Sequence, residues 1–141
     1  MPPSALVDTG ALLAVANAGD RWHEACLGVL STLTLPLVTT TAVLAETFYF
    51  AGKWHGLTKL VWEFVRQSGI MIAPITNADL PTLEILMRRY ADRPMDFADA
   101  TLVHVAEREG LHTIMTIDHD DFETYRIGRN AKFRILPEQV N

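Results

Sequence analysis

Short apolar runs alternate with longer stretches of helical periodicity along nearly the whole chain. Ala5–Val7, Leu35–Thr39, Ile70–Ile75, Thr113–Ile117 and Phe133–Leu136 are too short for helices, carry β-branched residues and are bounded by turn or cap residues. They predict five buried strands. Between them, Thr9 to Asn17 is small and apolar and predicts a helix. Asp20 is placed to cap a second helix running to about Leu33, and Thr40 or Thr41 to cap a third that ends at Ala51 before Gly52. Further helices are expected over Leu57–Gln67, over Asn77–Tyr90 with Pro81 held to the first turn, and over Phe97–Glu109, closed by Gly110. Asp92-Arg93-Pro94 makes a turn. Strands alternating with helices in this way imply a parallel sheet covered on both faces, a three-layer α/β/α fold of about four or five strands. No linker or internal repeat divides residues 1–141, so one domain is expected.

Composition narrows the class without naming a function. The chain has 141 residues, 49% of them hydrophobic and 21% charged, which suits a folded globule with one sizeable core. Cys26 is alone. An internal disulfide and a multi-cysteine zinc site are thereby excluded, and a reducing compartment fits. The apolar N-terminus lacks the basic region of a secretory signal, and no apolar run approaches the roughly 20 residues needed to cross a bilayer. A cytoplasmic protein without a membrane partner is expected. The net charge of −5 argues against a general nucleic-acid coat. Its basic residues are nevertheless uneven: Arg126, Arg129, Lys132 and Arg134 form one group, and Arg88, Arg89 and Arg93 another. Either group could hold phosphates, or serve only as a solvated face.

Several chemistries lack their residues. The chain has no Gly-rich phosphate loop of either common type and no nucleophile-elbow serine. Cys26 sits in an amphipathic segment and reads as core. Trp22, Trp54 and Trp62 fall at helical spacings and read as packing or subunit-contact residues.

Four acids remain. Asp8 directly follows the first strand and Asp118 the fourth, so both lie at the carboxyl edge of a parallel sheet, where ligands bind in such folds. Glu46 lies in the second turn of the helix that leaves the second strand, on the same edge. Asp99 opens the helix that feeds the fourth strand, and its start must lie near the end of that strand. Asp8 and Asp118 could equally cap the helices after them, and Asp96 with Asp99 could form a capping arrangement. Glu46 is too deep in its helix to cap it, and its neighbours Val43, Tyr49 and Phe50 form an apolar face, where a carboxylate is rarely buried unless paired or metal-bound. An all-oxygen set suits Mg²⁺, or Mn²⁺, better than zinc. His119, beside Asp118, is expected to be exposed or to touch substrate.

The stretches ALVDTGALLAV, TTAVLAETFYF, MDFADATLVHVAEREG and IMTIDHDDF, in that order and spacing, resemble a PIN-domain nuclease. More narrowly, they resemble the VapC-type toxins of bacterial toxin–antitoxin pairs. The resemblance implies a Mg²⁺-dependent endoribonuclease whose catalytic and metal-binding acids are Asp8, Glu46, Asp99 and Asp118. Asp99 matches the third acid better than Asp96, and Thr116 matches a hydroxyl residue often found two before the fourth. It also implies an RNA substrate, a homodimer and a small antitoxin protein whose tail fills the acidic cleft. A different reading of the same residues is a PIN-like module that binds RNA or protein without cutting.

Overall fold

The structure, a computed structural model, describes residues 3–139. Its strands are β1 (Ala5–Val7), β2 (Leu37–Thr39), β3 (Met71–Ile72), β4 (Thr113–Met115) and β5 (Arg134–Leu136). Its helices are α1 (Thr9–Ala16), α2 (His23–Thr32), α3 (Thr41–Ala51), α4 (Leu57–Gln67), α5 (Leu80–Arg89), α6 (Phe97–Glu109) and α7 (His119–Thr124). The five strands are all parallel and run in the order β3-β2-β1-β4-β5. The order reverses between β1 and β4. Right-handed crossovers therefore send the first two connections over one face of the sheet and the later ones over the other. This is the expected three-layer arrangement.

The central strands are dry on both sides, as a parallel sheet requires: Ala5, Leu6, Val7, Ile114 and Met115 are fully buried. Leu12, Leu83, Leu102 and Phe122 close over them from the helices, and each such side chain contributes about 1.5–3 kcal/mol by leaving water. Helix α6 is buried along most of its length, from Ala98 to Ala106. Its middle is covered on more than one side because it packs against both α3 and α5.

Local chemistry sets the helix ends. Thr40 caps α3 by accepting the Val43 N–H, and its hydroxyl also bonds to that of Thr101 on α6, 2.8 Å away. Asp96 caps α6 by accepting the Asp99 N–H at 2.8 Å, and Gly110 closes it at φ +68°, a left-handed conformation that favours glycine.

The structure departs from the sequence expectations in four places. Helix α2 starts at His23, because Asp20 instead accepts the Trp22 N–H within a turn before it. Ile70–Ile75 narrows to a two-residue strand at the exposed sheet edge, beyond which only Ala73 N–H still reaches Thr39; Pro74 has no donor to continue. The segment from Asn77 opens as a short 3₁₀ turn, fixed by a reciprocal Thr76–Asp79 capping box, before α5 begins. Helix α7 has no counterpart among the elements that the sequence pattern predicts.

Candidate active site

Strand register delivers the first two site residues to each other. Pairing of Leu6 with Ile114 and Val7 with Met115 continues one step further, as Asp8 N–H bonds to the Met115 carbonyl and Thr116 N–H to that of Leu136. Asp8 and Thr116 therefore leave the sheet side by side. The Thr116 hydroxyl donates to Asp8 Oδ2 at 2.9 Å, and the Thr9 N–H donates to Oδ1 at 2.8 Å. Both oxygens of Asp8 are oriented by the fold before any ligand arrives. The Thr9 hydroxyl reaches away, to the Val43 carbonyl.

Asp99 comes in from the first turn of α6. It is only 6% exposed, and the Tyr125 hydroxyl donates to its Oδ2 at 2.8 Å. Asp118 begins α7, where its side chain accepts the Asp121 N–H, and its own N–H is held by the Thr116 hydroxyl. That hydroxyl thus ties Asp8 and Asp118 together. Glu46 projects from α3 and is half-buried. Asp8, Glu46, Asp99 and Asp118 line one cleft of about 490 Å³, with Asp96, Phe50 and Gly10 also in its wall. Gly10 is required there by space: a Cβ would lie 2.5 Å from Ile117 Cγ1. A larger depression, about 880 Å³, runs along α4 beside Lys59, Trp62 and Arg66, but its wall gathers no comparable set of acids.

Three of these acids play a capping role and also line the cleft. Asp8, Asp96 and Asp118 each cap a helix, and the same side chains face the cleft. Glu46 reaches the cleft by a different route from the one its sequence surroundings imply. Tyr49 and Phe50 are 64% and 41% exposed, so the carboxylate stands on a partly open rim, not within an apolar face.

Electrostatic crowding is evident in the carboxylates. Burial pushes Asp8 up to about 7, and the charges of Glu46 and Asp118 add to the rise despite the opposing hydrogen bonds from Thr9 and Thr116. Burial, followed by the charges of Asp8 and Asp96, pushes Asp99 up to about 8, against the lowering influence of Tyr125. Asp118 is pushed up to about 6, first by burial and then by Asp121. Such a group holds protons near neutrality unless a cation replaces them. Oxygen atoms of Asp99, Asp118 and Asp121 lie within 4.8 Å of one another, a spacing and donor type that fit a hard divalent cation.

Two side chains in this region have no clear signal in the sequence. Tyr125 anchors Asp99, but its place depends on α7, whose polar opening resembles a loop. Asp121 is one of three acids in a polar run and has no pattern to single it out; it joins the cluster and also faces Arg93 Nε at 3.5 Å. His119 is a correction. It is 6% exposed, bonds through Nε2 to the Pro137 carbonyl at 2.7 Å and packs against Trp22. It is a structural histidine turned away from the cleft.

This architecture has relatives. Ribonuclease VapC26 of Mycobacterium tuberculosis is 26% identical over 134 residues, covering 94% of this chain and 99% of that protein. Among solved structures, VapC20 of Mycobacterium tuberculosis, described as a Sarcin-Ricin loop cleaving toxin, superposes with a TM-score of 0.73 at 22% identity, over 83% of this chain and 92% of that one. The VapBC2 structure from Rickettsia felis, bound to a DNA fragment from its promoter, gives 0.67 at 15% identity over 93% and 97%. At these identities the two structures speak for the fold. The PIN domain family profile matches residues 5–128. That span runs from β1 past every acid of the cleft, and the chain belongs to the PIN-domain family.

Proposed function

We propose that this protein is a divalent-cation-dependent endoribonuclease of the VapC type, the toxin of a toxin–antitoxin pair. The observation that carries the reading is the convergence of Asp8, Glu46, Asp99 and Asp118 from remote parts of the chain onto one cleft, with three of them held above their ordinary carboxylate range. The similarity to Ribonuclease VapC26 over nearly the full length of both chains supports the choice of RNA as substrate.

Asp8 and Asp99, with Asp118 and Asp121 beside them, would hold Mg²⁺ or Mn²⁺. When bound, the cation supplies charge neutralisation at the scissile phosphate and acidifies water. The protein's own part is positional. Thr116 and Thr9 fix both oxygens of Asp8, and Tyr125 fixes Asp99, so the acids need little rearrangement to meet a ligand. Glu46, which lines the same cleft, would hold the attacking water and accept its proton or complete a second cation site. The water oxygen joins phosphorus as the bond to the 3′-oxygen breaks. The products are a 5′-phosphate and a 3′-hydroxyl, whose proton comes from solvent.

Asp8→Asn and Asp99→Asn should each abolish Mg²⁺-dependent cleavage of RNA while leaving the circular-dichroism spectrum of the fold intact. Undiminished cleavage by either purified variant would overturn the assignment. A wild-type protein that binds RNA but leaves it whole in Mg²⁺ and in Mn²⁺ would favour the non-cutting module. The antitoxin and the homodimer belong to the same proposal. Co-purification with the product of an adjacent short reading frame, and light scattering of the free protein, test them separately.

A further inference from the structure

Of the two basic groups, one arginine of the earlier in the chain and two of the later meet in space. Arg89 and Tyr90, from the end of α5, share a pocket of about 540 Å³ with Thr124, Arg126, Gly128 and Arg129, which follow α7. Arg126 is pinned: its Nη1 donates to the carbonyls of Glu123, Thr124 and Tyr125, and its backbone N–H donates to the Tyr90 hydroxyl at 2.9 Å. Arg129 is presented by a tight turn closed by reciprocal hydrogen bonds between Ile127 and Ala131, with Gly128 at φ +63°. Arg89 and Arg129 are exposed. Among the described residues none of the three arginines forms a salt bridge. One acid stands at the rim, Glu107, whose Oε1 would lie 4.0 Å from a Cβ on Gly128.

Three arginines line one pocket with no salt bridge to any of them among the described residues, in a chain of net charge −5, and an anion entering the space between them meets charge-assisted donors from more than one side. The pocket is also rigidly connected to the acidic cleft. Tyr90 packs edge-on against Tyr125, with centroids 5.1 Å apart, and Tyr125 donates to Asp99. A polyanion threading the cleft meets repulsion from the acids there and needs a cationic hold beside it.

We propose that Arg89, Arg126 and Arg129 form a phosphate-binding subsite that grips the backbone of the RNA strand beside the scissile bond. The proposal rests on the ribonuclease reading and adds to it a positioning site outside the acid cluster. Contacts to phosphate carry no base information, so the subsite holds single strands regardless of sequence. Its ligand is a stretch of backbone rather than free phosphate, since three guanidinium groups are spread around the pocket wall.

Arg89→Ala and Arg129→Ala remove exposed side chains and leave the helix-capping role of Arg126 untouched. Arg134→Ala removes the same charge from an exposed position on β5 outside the pocket wall and serves as the control. Cleavage of a single-stranded RNA of mixed sequence, long enough to span both sites, should show KM raised several-fold in each pocket variant with kcat little changed. Binding of the same RNA to Asp99→Asn carrying each change, followed by fluorescence anisotropy across salt concentration, should lose about one unit of log–log slope per arginine. The control should keep both values, and inorganic phosphate at millimolar concentration should leave the difference between wild type and pocket variants in place. Wild-type cleavage combined with unchanged KM and unchanged salt slope in both pocket variants overturns the subsite. So does competition by inorganic phosphate that abolishes the difference between wild type and variants. Failure of wild-type cleavage would refute the ribonuclease reading instead, and the anisotropy experiment would still decide whether the pocket binds RNA.

Discussion

Replacing Asp99 by asparagine should make the cation-free protein more stable, although it should destroy activity. Asp99 is raised from 3.8 to about 8, so between those values the folded protein keeps a proton that the unfolded chain has released. Stability then falls as pH rises through that window, because folding must draw the proton back or bear the charge. At about 1.4 kcal/mol for each pH step across that window, the ceiling on this penalty near pH 8 is about 5–6 kcal/mol. Asp8 and Asp118 are raised in the same cluster and relax when one member is neutral, so roughly half is the expected gain. The asparagine carbonyl can still accept from Tyr125, but its amide leaves a buried donor short of a partner, at a cost of about 1 kcal/mol. The net is a gain of about 1–2 kcal/mol, or roughly 3–8 °C in Tm.

Thermal unfolding followed by circular dichroism in chelator, near pH 5 and near pH 8, measures this directly. Wild type should melt lower at the higher pH, the variant should melt above it there, and the two should converge at the lower. Millimolar Mg²⁺ should raise the wild-type Tm more than that of the variant, since only wild type keeps the full ligand set. A variant less stable than wild type in chelator at pH 8, with an unchanged dependence on pH, would refute the electrostatic account of the cleft.

Other substitutions probe its supports. Tyr125→Phe removes the hydroxyl that stabilises charged Asp99 and keeps the ring packing against Tyr90 and Phe122. The acidic limb of the RNA-cleavage profile should move to higher pH, which a pH–rate series will show. Thr40→Ala removes the α3 cap and the buried bond to Thr101, and should cost about 1–2 kcal/mol in a urea titration. Gly10→Ala drives a methyl group into Ile117. It should cost about 1–3 kcal/mol by the same titration and lower cleavage, because Gly10 and Ile117 both line the cleft.

Whatever rests on short-range pattern or on parallel-sheet geometry is legible in the sequence. The strands announce themselves as apolar runs too short to be helices. The convergence of Asp8, Glu46, Asp99 and Asp118 needs only the rule that strand ends share an edge. The losses share a cause. Helix α7 is six residues long and opens with His119, Asp120 and Asp121, a polar start that periodicity cannot separate from a loop. Without α7, Tyr125 has no position, and its bond to Asp99 spans 26 residues. His119 looks exposed because its neighbours in sequence are charged. Its partners, Trp22 and the Pro137 carbonyl, come from far along the chain. The two arginine groups are visible as groups, but their meeting depends on where α5 ends relative to α7, which no local signal sets.

The fold and the acidic cleft are made from the same parts. Asp8, Asp96 and Asp118 stabilise the chain as helix caps, each worth about 1 kcal/mol, while their mutual repulsion with Asp99 works against the folded state. A site assembled from caps cannot drift, because each carboxylate is tied to a backbone N–H that the helix needs satisfied. Thr116 extends that logic across the sheet, since its single hydroxyl donates to Asp8 and accepts from the Asp118 N–H. Its own position is fixed by pairing with β5. A cation entering the cleft, as the proposed function requires, would find oxygens already oriented, and its binding energy would go into relieving stored repulsion rather than into ordering side chains. Affinity for the ion and instability without it would then have one origin, the crowding of charge at the carboxyl edge of β1 and β4.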